Sequence, residues 1–252
     1  MKLSLICRQC LQTNVDQVHL LRAPIQDDAR YEIICPYGHE DVTILRNQKF
    51  EILFNIGVNA ILDGYYREAV SSFTASLERF YEFFIKVALF KGDNQLDSQN
   101  QMDKAWKLVN KQSERQLGAF VFLYLNEFGE PPLILPDNVV SFRNKVIHEG
   151  KIPSSGEAID YGQTVFNLIS PVLEKLKVKH EDSLRNVADL YWKKSVSAGD
   201  AHVNITGITT ELSIETPPQP DYSLEKCIAV MKSSNRFLKI EGLDVQTKAK
   251  TK

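Results

Sequence analysis

Residues 60–87 read AILDGYYREAVSSFTASLERFYEFFIKV, and this stretch decides the fold. Its apolar positions Tyr66, Ala69, Val70, Phe73, Leu77, Phe80, Phe84 and Val87 recur at helical spacing. That period gathers them on one face of an α-helix, whereas a half-buried strand would alternate residue by residue. Upstream, Phe50, Leu53, Phe54, Gly57, Ile61 and Leu62 keep the same period and stop at Asp63-Gly64. A glycine between two amphipathic helices predicts an antiparallel helical hairpin, its second arm running to Phe90.

The helical texture continues to residue 180. Segments around 101–112 (Trp106, Leu108, Val109) and 113–128 (Leu117, Phe120, Leu123, Tyr124, Leu125) predict two further helices before a proline-rich loop at 130–136. Asp137 is the expected N-cap of a short helix carrying Val139, Val140, Phe142, Val146 and Ile147. Gly150 is its expected stop, and Pro153 excludes continuation. Ser154-Ser155-Gly156-Glu157 then forms a Ser-x-x-Glu capping box. It opens a long helix through Tyr161, Val165, Ile169, Val172 and Leu176, in which Pro171 is expected to introduce a kink. Residues 47–180 therefore predict a bundle of five or six helices.

The short helix carries the chemistry. Arg143-Asn144-Lys145-Val146-Ile147-His148 places a fixed cation, an amide and an imidazole within less than two turns. Arginine can hold a phosphate through two parallel hydrogen bonds. Histidine titrates near neutrality and can give or take a proton during phosphoryl transfer. His148 falls in the last turn, where the helix dipole favours positive charge. At about 100° per residue, Asn144 and His148 share a face while Arg143 lies roughly 140° from His148. Two such helices meeting across a two-fold axis would bring both groups to one phosphate, so the spacing favours a site shared by two chains. An isolated Arg-x4-His pair is common on solvated helices; the surrounding helical domain gives this one its weight.

The segment 60–87, followed at a distance by FRNKVIHEGKIPSSGEAIDYGQTVFNLI at 142–169, resembles a HEPN domain. HEPN domains are small helical bundles, many of them ribonucleases bearing an Arg-x(4–6)-His motif with a polar first spacer. Arg143, Asn144 and His148 match that motif position by position, and the likeness covers roughly residues 50–178. The resemblance implies a homodimer through the bundle with both motifs at the interface, and RNA, tRNA among the candidates, as substrate. It implies catalysis without a metal or other cofactor. Glu78, in a small-Leu-Glu run, would orient Arg143 or His148 from behind; its bland alternative is a solvent-side carboxylate beside Arg79 and Glu82. Lys145 and Lys151 would assist RNA capture.

The N-terminus carries a separate signal. Cys7-Arg8-Gln9-Cys10 and Cys35-Pro36-Tyr37-Gly38-His39 supply three thiolates and an imidazole. Four such ligands are the count a closed structural zinc site needs. Between them, QVHLLRAP and RYEIICP alternate like strands of a zinc ribbon, with a turn near Asp27-Asp28. A segment of 1–46 is too small to bury much core, so a metal staple explains it better than unrelated thiols do. His19 is a competing fourth ligand within the first strand pattern. A closed site of this kind fixes shape and leaves no position open for catalysis.

Residues 181–252 read as an accessory α+β segment. A helix near 181–196 precedes HVNITGITTELSIE, which alternates Val203, Ile205, Ile208, Leu212 and Ile214 as a hairpin about Gly207 or one long strand. Those strands need an edge, which the ribbon, or the same element in a second protomer, can supply. A proline linker at 217–220 and a helix over 222–238 follow, ending in a basic tail that includes Lys239, Lys248, Lys250 and Lys252. The fold class expected is thus mainly α: a HEPN-like bundle, a small β zinc ribbon, and an accessory α+β segment.

The 252 residues carry a net charge of −2, not the balance of a general nucleic-acid coating protein. Three of four cysteines are spent on the metal site, leaving Cys227 as a lone thiol of the kind that is usually just buried. Sparse cysteine and no hydrophobic leader or membrane-length apolar run point to the cytoplasm. No P-loop, dinucleotide turn, acidic metal cluster or hydrolase elbow supports another enzyme class. The leading expectation is a HEPN-type endoribonuclease used as a toxin or antiphage effector, with a regulatory protein to restrain it. The competing class is a non-catalytic module that binds RNA, a nucleotide or a protein. A zinc-ribbon adaptor is a weaker third.

Overall fold

The turn at Asp63-Gly64 sets the architecture. The computed structural model describes residues 1–12, 20–90, 95–200, 203–218, 220–235 and 243–244. In it, α2 (Lys49–Leu62) and α3 (Tyr66–Leu89) form the expected hairpin, with Gly64 at φ +81°. That left-handed conformation costs glycine nothing and any other residue a steric penalty. The same unit contains α4 (Gln95–Val109), α5 (Ser113–Phe128), α6 (Asp137–His148) and α7 (Ser155–Lys179). α3 is the central rod, packing against α2, α5, α6 and α7. Its buried face of Phe73, Leu77, Phe80 and Phe84 meets Phe54, Phe120, Val146 and Val165, and ring pairs such as Phe54–Phe73 at 4.9 Å and Phe84–Phe120 at 5.0 Å fill the centre.

Two glycines make room for Phe73. A Cβ at Gly57 would lie 2.5 Å from the ring, and one at Gly162 would lie 2.6 Å from its other edge. The ring is thus clasped between α2 and α7, and the helix backbones approach more closely than any larger residue permits.

Helix ends are defined by named bonds. Gln48 and Glu51 form a capping box on α2, and the second oxygen of the buried Glu51 accepts the Ile214 N–H at 2.9 Å. Ser154 and Glu157 form the expected box on α7. The N-cap of α6 is Pro136, not Asp137, which is the first helical residue. Proline's fixed φ, here −61°, suits the extended cap, and the Asp137 carboxylate acts through the helix dipole instead. Pro171 lies within α7 without ending it; Ile169, Val172 and Leu173 on either side are buried in the core.

The remaining residues form a second unit, made of the described parts of Met1–Asn47, Ala188–Thr209 and Ser233–Lys252. It contains β1 (Lys2–Ile6), α1 (Arg8–Gln12), β2 (Leu20–Pro24), β3 (Arg30–Ile34), β4 (Glu40–Leu45), β5 (Val203–Thr206) and β6 (Leu243–Asp244). β1 pairs antiparallel with β2, and β3 with β4, so the two strands read from sequence belong to separate sheets, ordered β1-β2-β6 and β3-β4-β5. β5 lies parallel to β4 with Val42 opposite Val203, the edge the accessory strand required.

The expected hairpin about Gly207 does not form. Pairing ends after Thr206, where the Asn47 side chain takes over both backbone groups of Ile208, donating to its carbonyl at 3.0 Å and accepting its N–H at 2.8 Å. Beyond Thr210 the chain joins the helical unit, where Leu212 is buried in the core. Leu212 and the Ile214 N–H are instead engaged there, the first in the apolar core and the second by Glu51. α8 (Glu181–Lys193) and α9 (Leu224–Asn235) complete the described elements. His19, Arg236 and the lysines of the basic tail lie outside the described residues.

One ion pair ties the C-terminal segment to its unit. The Arg30 guanidinium grips Asp200 through two nitrogens at 2.7 and 2.8 Å and also donates to the Ser195 carbonyl at 3.0 Å. Arg30, then the Ser197 N–H, hold the Asp200 carboxyl down from 3.8 to about 2. A depressed folded value means the stabilisation is complete above the ordinary value of 3.8 and fades as pH falls through about 2. Asp200→Asn is expected to release this segment already at neutral pH, read as faster hydrogen exchange at the Ser197 amide. Equal exchange in variant and wild type at pH 7 would contradict it.

Candidate functional site

Cys7 leaves β1, Cys10 lies on the single-turn α1, and Cys35 and His39 flank the tight turn between β3 and β4. The turn closes through Cys35 N–H to the His39 carbonyl at 3.0 Å and Gly38 N–H to the Cys35 carbonyl at 2.9 Å. Gly38 takes φ +79°, the left-handed geometry that glycine permits at such a knuckle. The Arg8 N–H donates to Asp41 at 3.0 Å and the Gln9 amide to the Glu40 carbonyl at 2.9 Å, which locks the two knuckles together.

The four side chains converge, all ligand atoms lying within 4.8 Å of one another. Cys10 Sγ is 3.6 Å from Cys35 Sγ and 3.4 Å from His39 Nδ1, and Cys7 Sγ is 3.8 Å from the same nitrogen. Tetrahedral zinc, with bonds of about 2.3 Å to sulfur and about 2.0 Å to nitrogen, separates its ligands by about 3.5–3.8 Å. These three edges lie near that range, so three thiols and an imidazole are close enough together to hold a zinc ion. Burial, then Cys35 and Cys7, push the Cys10 thiol up to about 12. A bound cation is what makes thiolates affordable so close together. Cys227, by contrast, is a half-buried thiol 3.1 Å from Glu211, pushed up to about 12 first by burial and then by that carboxylate.

The second site lies in the helical unit. α3, α5, the loop after α5 and α6 enclose a cleft of about 240 Å³. Glu78 and Tyr81 line it from α3, Glu114 and Leu117 from α5, and Val140 and Arg143 from α6. Glu78 is therefore not a free solvent-side carboxylate; it faces the same space as Arg143, while its neighbour Arg79 pairs with Glu82 at 2.6 Å. Burial raises the Glu78 carboxyl, and Arg79 and Arg143 oppose that rise. Arg143 Nε is buried with no hydrogen-bond partner among the described residues. Burial pushes Tyr81 upward and Tyr161 up to about 12, so both remain neutral hydroxyls; Tyr161 shares its own with Thr74 at 2.8 Å.

The motif residues part ways around α6. Arg143 turns into the cleft, Asn144 is half-buried, and His148 and Lys145 are exposed. α6 stops just after His148: Glu149 and Lys151 both donate backbone N–H groups to the Lys145 carbonyl, around Gly150 at φ +76°. Lys151 is spent locally, paired with Glu157 and lying 4.8 Å over the Phe142 ring. One chain thus brings Arg143 together with Glu78 but sends His148 to another face.

Tyr81 and Glu114 were not singled out from the sequence. A signal was present in α3, where Thr74, Glu78 and Tyr81 make a polar stripe at helical spacing inside an otherwise apolar face. Among the described residues no helix is long and apolar enough to cross a membrane. No protein-family model, no curated protein and no solved structure matches this chain.

Proposed function

We propose that the helical unit is a metal-independent RNA endonuclease of HEPN type, active as a homodimer that pairs two copies of α6. The observation that carries this reading is the division of labour around that helix: Arg143 is recessed beside the carboxylate of Glu78, and His148 projects outward from the last turn. A guanidinium that lines a cleft without an ion-pair partner among the described residues is available for phosphate, and an exposed imidazole is free to meet a phosphodiester held by a second chain.

In the proposed reaction the ribose 2′-OH attacks the adjacent phosphorus and loses its proton to a base. The bond to the 5′-oxygen breaks, and that oxygen takes up a proton. His148 serves one of these transfers. Arg143 stabilises charge on the non-bridging oxygens, and Asn144 orients the phosphate. Glu78 holds Arg143. Cys7, Cys10, Cys35 and His39 hold zinc for structure only, since four protein ligands leave no open position. A role as toxin or antiphage effector, restrained by a regulatory protein, suits such an enzyme.

The test is cleavage of mixed RNA, tRNA included, by pure protein in magnesium-free buffer. Products with 2′,3′-cyclic phosphate and 5′-hydroxyl ends, and an uncut all-deoxy strand of the same sequence, are expected. Intact RNA under these conditions favours the second reading, a module that binds RNA or a nucleotide in the Arg143 cleft without cutting. The separation of Arg143 and His148 within one chain is the observation on that side.

A further inference from the structure

We propose that the cleft between α3, α5 and α6 accepts a guanine base; this deepens the RNA-cleaving reading and rests on it. Its volume of about 240 Å³ is below the roughly 300–1,000 Å³ of pockets for drug-sized ligands, and suits a single flat ring system. Leu77, Leu117 and the edge of the largely buried Tyr81 give it apolar walls against which a flat ring can lie.

The polar groups narrow the choice. An ionised carboxylate accepts only, and its two oxygens can take two parallel donors. Guanine is the RNA base whose Watson–Crick edge sets two N–H donors side by side, on N1 and N2, with the O6 acceptor next to them. Glu78 supplies the two-point acceptor. Arg143, which lines the same cleft, offers a terminal N–H to O6. Its other terminal nitrogen remains for phosphate. Uracil presents a single N–H and two carbonyls to the same carboxylate, and is disfavoured. Adenine and cytosine lack the paired ring and exocyclic donors. Glu114 adds a second acceptor at the exposed side.

The experiment is equilibrium binding of the four nucleoside 3′-monophosphates, which offer no phosphodiester to cut, to the full-length His148→Ala protein. Guanosine monophosphate should bind about tenfold or more tightly than uridine monophosphate, the scale of one good bidentate base contact. Glu78→Gln in the same background should abolish that preference while leaving the circular dichroism melt in place. Equal binding of all four, no measurable binding, or a preference that survives Glu78→Gln overturns the pocket. The readout is separate from cleavage. Guanine preference in a protein that cuts no RNA keeps the pocket and removes the nuclease; cleavage without preference does the reverse.

Discussion

Cys10→Ser is expected to empty the metal site and unfold the N-terminal unit while the helical unit stands. Structural zinc contributes about 10–16 kcal/mol of apparent binding free energy in small zinc-dependent folds, as much as a typical domain's whole stability. The unit it would hold here is slight. β1 to β4 all lie within residues 1–47 and rest on side chains such as Leu3, Leu5, Leu21, Tyr31, Ile33 and Ile44, and a segment that small seldom folds on apolar burial alone. Cys10 is the best residue to remove because its sulfur touches both Cys35 and His39 across the two knuckles. The helical unit keeps its own phenylalanine-rich core and should retain its circular dichroism. Elemental analysis should find one zinc per wild-type chain and none in the variant, and limited proteolysis should erode the variant within residues 1–47. Wild-type protein that purifies without metal and resists the protease equally well would remove zinc from the account.

What could be read from the sequence divides along the range of the interactions involved. The hairpin was legible because a helix of α3's length repeats its period many times, and Phe73, Phe80 and Phe84 are large enough to mark the buried face unambiguously. The Cys/His cluster was legible because its spacing is local to each knuckle. β1 was passed over although Leu3 and Leu5 alternate with polar residues, a pattern too short to stand out beside Cys7. The end of β5 was not legible, since it depends on Asn47, which lies 161 residues away from Ile208. The cleft was illegible for the same reason: Glu78, Glu114 and Arg143 come from three helices, and only their packing shows that they share a space. Chain order likewise gave no hint that residues 210–216 return to α2 through Glu51.

Arg143→Ala and His148→Ala are each expected to abolish RNA cleavage, and a mixture of the two to restore part of it. Loss of a general acid or base costs about 10²–10⁴-fold, and loss of a preorganised charge on the reacting oxygens about 10²–10³-fold, so either variant alone falls to background. The geometry of α6 makes the mixture informative. Arg143 is recessed in the cleft of its own chain beside Glu78, whereas His148 points away from the end of the same helix. A working site therefore takes Arg143 from one protomer and His148 from the other. In a heterodimer of the two variants, one site keeps both wild-type groups and its two-fold mate has neither. With random exchange of subunits, half the dimers are mixed and half their sites are intact, so about a quarter of wild-type activity should return. If both groups acted from the same chain, each site in the mixed dimer would lack one of them and mixing would return nothing. Size-exclusion chromatography with light scattering establishes the dimer independently of the assay. A strictly monomeric protein that still cuts RNA, or variants whose mixture stays dead after verified subunit exchange, would rule out the shared site and with it the reason for placing His148 outside the cleft.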